Sequence, residues 1–326
     1  MNKNFKKIVK KIKEYEYIVI ARHKNSDLDC LGSQFALKEW INLNFKNKKV
    51  YCVGDNHQKY TSRNFIPKSD LVDFKNEKYL GISVDVNQYY RMDEGEILKN
   101  ADYRICIDHH RGDPDDFDYK YIDSSVISCS QIIAEFMLSC KTKKINKDIC
   151  KYLFAGISAD SGNFYYEACD SKTFEIASKL LKTGKFNQYY DFHYLVGLDT
   201  LEEAKIKYEM FNKIVYDAES GVAYYVNTAE DLKRIGVTAR GANEKIGSFN
   251  SVEEFEIILA ASEDIDGLYL CSIRSKAANV VEVAIKYNGG GHRLACGVKG
   301  INKDQLDALI EDLKLLGKNN KKNQKN

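Results

Sequence analysis

The residues best suited to chemistry cluster near the start of the chain, in His23-Lys-Asn-Ser-Asp27-Leu-Asp29-Cys-Leu-Gly32-Ser33. One histidine and two aspartates stand there at i, i+4 and i+6, just after the apolar run 17–21. A loop leaving a strand can turn all three side chains to one point. Carboxylates that close repel one another unless a cation neutralises them. Gly32 and Ser33 then open a helix, and a helix N-terminus favours anions. Read alone, the segment fits a solvated loop with an aspartate N-cap better than it fits a metal site.

Three further segments end in the same residue types. The strand-like run 80–84 leads into Asp85, and the run 103–107 into Asp108-His109-His110. The helical region near 153–157 leads into Ser158-Ala-Asp160-Ser161-Gly162. In an open parallel sheet, ligands bind outside the carboxyl ends of the strands. Asp27, Asp29, Asp85, Asp108, His109 and His110 would all collect there. The set offers carboxylates and imidazoles without a thiolate, which suits manganese or magnesium more than structural zinc. Two such ions about 3.5–4 Å apart, bridged by a carboxylate and a hydroxide, are an established apparatus for attack on phosphorus.

A second signature lies in the C-terminal half, where Ser272-Ile-Arg274-Ser275 precedes Gly289-Gly290-Gly291-His292 and Ala295-Cys296-Gly297. Three glycines alone would mean a helix stop and a turn. No Gly-Lys-Ser/Thr follows, so this is not a Walker loop. An arginine ending a strand and a histidine after a glycine run nevertheless make a phosphate receptor. The arginine brings a fork of donors, and glycines let backbone N–H groups approach an anion. Four of the six histidines (His23, His109, His110 and His292) fall in the segments singled out so far.

The elements that must position these residues follow from periodicity. Strands are expected at 17–21, 50–53, 80–84 and 103–107, with helices at 32–42, 130–139, 147–157 and 171–183. Asp170 is the expected N-cap of the last helix and Gly184 its stop. Fully apolar strands alternating with helices argue for a parallel sheet covered on both faces. The second half reads as a charged connecting helix over 201–216, then strands at 222–226, 255–260 and 268–273 and helices at 229–235, 280–287 and 304–316.

With 326 residues and 44% hydrophobic content, the chain is long enough for roughly two domains. A net charge of +2 argues against a protein that coats long duplex DNA. Nine cysteines without a C-x-x-C pair point to a reducing compartment, the cytoplasm. The basic start lacks the apolar core of a secretory signal, and no run is long enough to span a membrane.

The four N-terminal blocks resemble the motifs of the DHH phosphoesterase superfamily, for which Asp108-His109-His110 is the name-giving triplet. This superfamily includes RecJ-like nucleases, family II pyrophosphatases and the oligoribonuclease/pAp-phosphatase (NrnA-like) enzymes. Where the family usually has Pro-Asp and Asp-Ala, this chain has Ser26-Asp27 and Asp29-Cys30. In place of Asp-Thr-Gly it has Asp160-Ser161-Gly162, which keeps the hydroxyl. The Arg274-Ser275 and Gly290-Gly291-His292 blocks resemble the DHH-associated C-terminal domain.

The resemblance implies an α/β fold. A doubly wound, mostly parallel sheet forms the DHH domain, and a mixed sheet forms a smaller α/β C-terminal domain, with the active-site cleft between them. The implied boundaries are 1–190 for the first domain, 191–215 for a helical linker, 216–318 for the second domain and 319–326 for a disordered tail. It assigns His23, Asp27 and Asp85 to one ion and Asp29, Asp85, His109 and Asp160 to the other. Both ions are divalent, manganese first and magnesium as the alternative. Asp108 would orient the histidines, and His110 would contact the transferred phosphoryl group. Arg274, Ser275, Gly290, Gly291 and His292 would bind the substrate.

The implied activity is hydrolysis of short single-stranded RNA from an end, of 3′-phosphoadenosine 5′-phosphate (pAp), or of both, through a bridging hydroxide. The alternative is a pApA or cyclic-dinucleotide phosphodiesterase of the same superfamily. A family II pyrophosphatase would lack the C-terminal blocks, and a RecJ-like nuclease would carry a further barrel. The substrates are small, no membrane is involved, and a homodimer is compatible with the reading.

Overall fold

The structure, a computed structural model, describes residues 3–72, 77–166, 168–264 and 266–324. It divides into two compact units, Met1–Leu198 and Asp199–Asn326, the division falling inside the stretch 191–215 expected as a linker.

In the first unit the elements run α1 (Lys3–Glu14), β1 (Tyr17–Ala21), α2 (Leu28–Asn44), β2 (Lys49–Cys52), α3 (Gln58–Ser62), β3 (Tyr79–Val84) and α4 (Gly95–Lys99). Then come β4 (Tyr103–Asp108), β5 (Tyr119–Ile122), α5 (Cys129–Ser139), α6 (Lys147–Asp160) and α7 (Ser171–Gly184). A π-helical segment, Tyr189–Gly197, closes the unit. The sheet order is β2-β1-β3-β4-β5, and every pairing is parallel. Strand β1 shows why its apolar run is unbroken. Ile18 and Ile20 enter the large core with Trp40 and Phe136, while Val19 and Ala21 enter a second core on the other face with Val86 and Met92. In this strand order the chain reverses direction of growth between β1 and β3, where ligands of such sheets bind.

The second unit runs α8 (Leu201–Asn212), β6 (Val215–Asp217), β7 (Val222–Asn227), α9 (Ala229–Ile235), α10 (Ala239–Asn243), β8 (Ile257–Glu263) and β9 (Tyr269–Ser275). It ends with α11 (Val281–Lys286), β10 (Gly290–His292), β11 (Ala295–Ile301) and α12 (Lys303–Gln324). Its six-stranded sheet, β10-β11-β9-β8-β7-β6, is mixed: β7 and β8 pair in parallel, and the other pairs are antiparallel.

Several expectations change. The helix expected over 201–216 stops at Asn212, and the next residues form the edge strand β6. The glycine run does more than end a helix, since Gly290 and Gly291 belong to β10. The stretch 319–326, expected to be a disordered tail, continues α12 as far as Gln324; residues 325–326 lie outside the described residues. Helix α7 keeps Asp170 as its N-cap, but Gly184 is its last residue, and Lys185 makes the left-handed C-cap at φ 48°. Helix α2 starts at Leu28, so Asp29 and Cys30 sit in a first helical turn and not in a loop. No described helix is long and apolar enough to cross a membrane.

Candidate functional site

Strand β1 delivers Arg22 and then His23 to the carboxyl edge of the sheet. Arg22 is fully buried and donates Nη1 to Gln34 Oε1 (2.5 Å) and Val53 O (2.9 Å). It therefore ties α2 and the end of β2 together beneath the site. His23 Nδ1 lies 2.8 Å from the Lys24 carbonyl. This contact turns Nε2 toward Asp27 Oδ2 at 3.5 Å and Asp85 Oδ2 at 3.4 Å.

Helix α2 sorts the next ligand candidates by its own geometry. Asp27 is the N-cap, and its Oδ1 accepts the N–H groups of Asp29 and Cys30, both at 3.0 Å. Residues three apart share a helix face, so Asp27 and Cys30 both address His23. Asp29 points elsewhere. Its buried carboxylate accepts Cys129 N–H on Oδ2 (2.7 Å) and Ser130 N–H on Oδ1 (2.8 Å), which are the first N–H groups of α5.

Strand β3 ends in Asp85, held in the left-handed region at φ 61° while its N–H bonds Ile107 O at 3.0 Å. This conformation costs a non-glycine residue of order 1 kcal/mol, and it swings the carboxylate across the edge of the sheet. Asp85 Oδ2 faces His23, whereas Oδ1 lies 3.3 Å from His109 Nε2 and 3.4 Å from His110 Nδ1. His109 Nε2 is also 3.4 Å from Asp160 Oδ2 and 3.9 Å from Asp29 Oδ2, and its Nδ1 lies 3.4 Å from the Val126 carbonyl. Asp108 serves the triplet itself. Its Oδ1 accepts the N–H groups of His109 (2.8 Å) and His110 (3.1 Å) and sits 2.8 Å from His110 Nδ1.

Three groups of ligand atoms result, each drawn together within 4.8 Å: His23, Asp27, Cys30 and Asp85; Asp85, His109 and His110; and Asp29, His109 and Asp160. All six metal-ligand candidates from the sequence therefore meet in one cluster. Cys30 is the addition that sequence reasoning missed, and its signal was its place three residues after the N-cap.

The protonation pattern follows from the crowding. Burial works against a charge on His109, but the hydrogen bond to Asp85 and the charges of Asp85, Asp29 and Asp160 outweigh it and raise the imidazole to about 10. His23 and His110 are raised against the same opposition from burial. Asp85, although buried, is held well below the usual carboxylate range by His109 and His23. Burial and then the charge of Asp85 push Asp29 up to about 7. Burial and then Asp29, Asp27 and Asp85 push Asp160 well above its ordinary value. Protons thus supply the positive charge that so many carboxylates require.

A divalent cation would supply that charge better, and the residues fit one. Asp108 Oδ2 is buried and makes no hydrogen bond among the described residues, and the buried Asp85 Oδ1 faces two imidazole nitrogens at 3.3 and 3.4 Å, as a carboxylate shared between ligands would. The Nδ1 contacts of His23 and His109 with carbonyls are those that fix an imidazole to coordinate through Nε2.

In the second unit, β9, β11 and β10 bring the second signature together. Arg274 pairs with Ala295, and Ala295 pairs with His292. Directly paired residues project from one face of a sheet, so the small Ala295 separates the guanidinium from the imidazole. Ser275 Oγ is buried without a hydrogen-bond partner among the described residues. Gly291 is required by geometry, because its φ is 141° and a Cβ there would stand 2.4 Å from Ala295 O. A Cβ on Gly290 would meet nothing within 4 Å, so its backbone faces open space. Two further arginines are engaged locally. Arg63 donates to the carbonyls of Leu195 (3.0 Å) and Leu198 (3.1 Å), and Arg240 bonds Glu244 at 2.7 Å.

Comparison with known proteins adds independent information. Residues 17–157 match the model of the DHH family, N-terminal domain, and residues 219–318 match the DHHA1 domain. The chain is 34% identical over 318 residues to the probable bifunctional oligoribonuclease and PAP phosphatase NrnA of Streptococcus mutans, covering 96% of this chain and 98% of that protein. It is 29% identical over 304 residues to the bifunctional oligoribonuclease and PAP phosphatase NrnA of Mycoplasma genitalium, covering 92% and 94%. A solved structure of an exopolyphosphatase-related protein from Bacteroides fragilis superposes with a TM-score of 0.79 at 17% identity, over 98% of this chain and 100% of that one.

Proposed function

The chain belongs to the DHH family of phosphoesterases, and from that premise we propose that it hydrolyses short oligoribonucleotides from an end and pAp, as a two-cation enzyme of the NrnA type. The observation that carries the reading is Asp85, whose two carboxylate oxygens face two different sets of ligands, His23 with Asp27 and His109 with Asp29 and Asp160. His23, Asp27 and Asp85 would hold one divalent cation, and Asp29, Asp85, His109 and Asp160 the other. Manganese is the first choice and magnesium the second, given the oxygen-rich donors. Such a pair supplies Lewis acidity at phosphoryl oxygens and a strong nucleophile from water near neutral pH.

The chain's own groups do the rest. Asp108 fixes the His110 ring by accepting from Nδ1, and the ring, when protonated, would donate Nε2–H to a phosphoryl oxygen. Arg274 and His292, with the N–H groups of the glycine run, supply donors for a second phosphate of the substrate. A dinucleotide or pAp offers little apolar surface, so its charged phosphates must provide most of the binding.

The test is a substrate panel on the manganese-loaded protein: pAp, pApA, RNA of two to five nucleotides, cyclic di-AMP and pyrophosphate. The reading expects turnover of pAp and short RNA above all the others. Faster turnover of pApA or cyclic di-AMP would move the assignment to a dinucleotide phosphodiesterase, and pyrophosphate as the best substrate would overturn it.

A further inference from the structure

We propose that Cys30 is a fourth ligand at the cation position formed by His23, Asp27 and Asp85, and that its sulfur biases that position toward thiophilic divalent cations over manganese. This inference rests on the metal centre proposed above and adds a donor type that the carboxylate and imidazole set lacks.

Cys30 is fully buried, and its Sγ lies within 4.8 Å of the ligand atoms of His23, Asp27 and Asp85. Among the described residues it is the only cysteine in such a group. Its position is fixed by the backbone. Its N–H bonds the Asp27 side chain at 3.0 Å, and the first turn of α2 places both side chains on one face. Asp85, which closes the group, is 2% exposed, and its Oδ2 lies 3.4 Å from His23 Nε2. Cys52, Cys106 and Cys129 are buried like Cys30 and, like it, lie within 3.6 Å of a backbone carbonyl, but they join no ligand group.

One nitrogen, two oxygens and one sulfur form a donor set suited to tetrahedral zinc and its relatives. Ligands at about 2.0–2.3 Å from such an ion stand roughly 3.5 Å apart. His23 Nε2 already stands 3.5 Å from Asp27 Oδ2 and 3.4 Å from Asp85 Oδ2, and the remaining pairs, all within 4.8 Å, can close by side-chain rotation. On binding, the S–H bond breaks, the sulfur lone pair goes to the cation and the proton leaves to solvent. The simpler account is that Cys30 only fills space, its Sγ 3.5 Å from the Asp27 carbonyl. That account predicts no sulfur–metal bond.

The experiment strips the full chain with a chelator and reloads it with cobalt(II), whose visible bands report coordination and whose near-ultraviolet charge-transfer band reports a thiolate ligand. The proposal expects both signals in the parent. Cys30→Ala and the near-isosteric Cys30→Ser should keep the visible bands and lose the charge-transfer band. Their cadmium-over-manganese preference should fall at least about tenfold, the scale on which coordination partners change affinity. Visible bands without charge transfer in the parent, or a charge-transfer band surviving in Cys30→Ser, would overturn the role of Cys30 alone. Absence of any cobalt spectrum in the parent would overturn the metal centre itself and this inference with it.

Discussion

Asp29 and Asp160 are proposed ligands of the same cation, yet they should behave differently when truncated. Asp29 is fully buried, and its carboxylate accepts the N–H groups of Cys129 and Ser130 at 2.7 and 2.8 Å. Asp29→Ala takes the carboxylate acceptor from both buried donors and leaves α2 tied to the start of α5 through Ser130 Oγ, to Asp29 O and Ser33 Oγ. Each such loss costs about 1–3 kcal/mol, so the total should be about 2–6 kcal/mol. For a unit of 198 residues, that lowers the melting temperature by roughly 4–24 °C. Asp160 is the last residue of α6, its side chain is 25% exposed, and it lies 3.4 Å from the His109 imidazole. Asp160→Ala removes a carboxylate that repels Asp29 and Asp85, so it should melt within about 2 °C of the parent or above it. Melting curves must be recorded in chelator, so that cation binding does not contribute, with manganese affinity measured separately. Both variants should lose the cation. Equal melting temperatures for Asp29→Ala and the parent would refute the view that Asp29 also anchors α5.

Cation binding should release protons. His109, raised to about 10, and His23, also raised, hold protons at pH 7 in the metal-free cluster, and coordination must expel them. Affinity should therefore rise with pH between about 6 and 10; titration calorimetry in buffers of different ionisation enthalpy checks this, and zero proton release would contradict it. Arg274→Ala should lower kcat/KM for pAp at least about tenfold with manganese content unchanged, since a charge-assisted contact is worth about 1.5–3 kcal/mol. Unchanged kinetics with a lower melting temperature would mean that the arginine is only structural. Gly291→Ala places a Cβ 2.4 Å from Ala295 O at φ 141°, so it should distort β10 and weaken pAp binding while leaving the manganese site intact, as equilibrium dialysis of both ligands would show.

Much of the site was legible because its residues end unambiguous strands. The β-branched runs at β1, β3 and β4 announce buried parallel strands, and polar residues at their carboxyl ends can only face the sheet edge. What escaped was set by less visible features. Phe5, Ile8, Val9 and Ile12 recur at helical spacing and bury α1, but the lysines between them obscure the pattern. Tyr119–Ile122 has no apolar run, and as the outer strand β5 it needs none. The helix expected over 201–216 ended early because Val215–Asp217 found a partner strand in β7, a tertiary contact that local sequence does not encode. Asp29 and Cys30 looked like loop residues because the start of α2 is set by the cap at Asp27, ahead of Gly32. Their opposite facing, which separates the anchor of α5 from the thiol beside His23, follows only once that start is known.

The central claim is that one cluster, organised around Asp85, both holds the cations and hydrolyses the phosphoester. Asp85→Asn tests it with little backbone disturbance, because asparagine tolerates the left-handed φ of 61° found there. Bound manganese and pAp hydrolysis should be measured on the same samples of parent and variant. The account predicts two manganese ions per chain and phosphate release in the parent, and in Asp85→Asn the loss of at least one ion together with the activity. An Asp85→Asn protein that keeps both ions and the parental rate would contradict it.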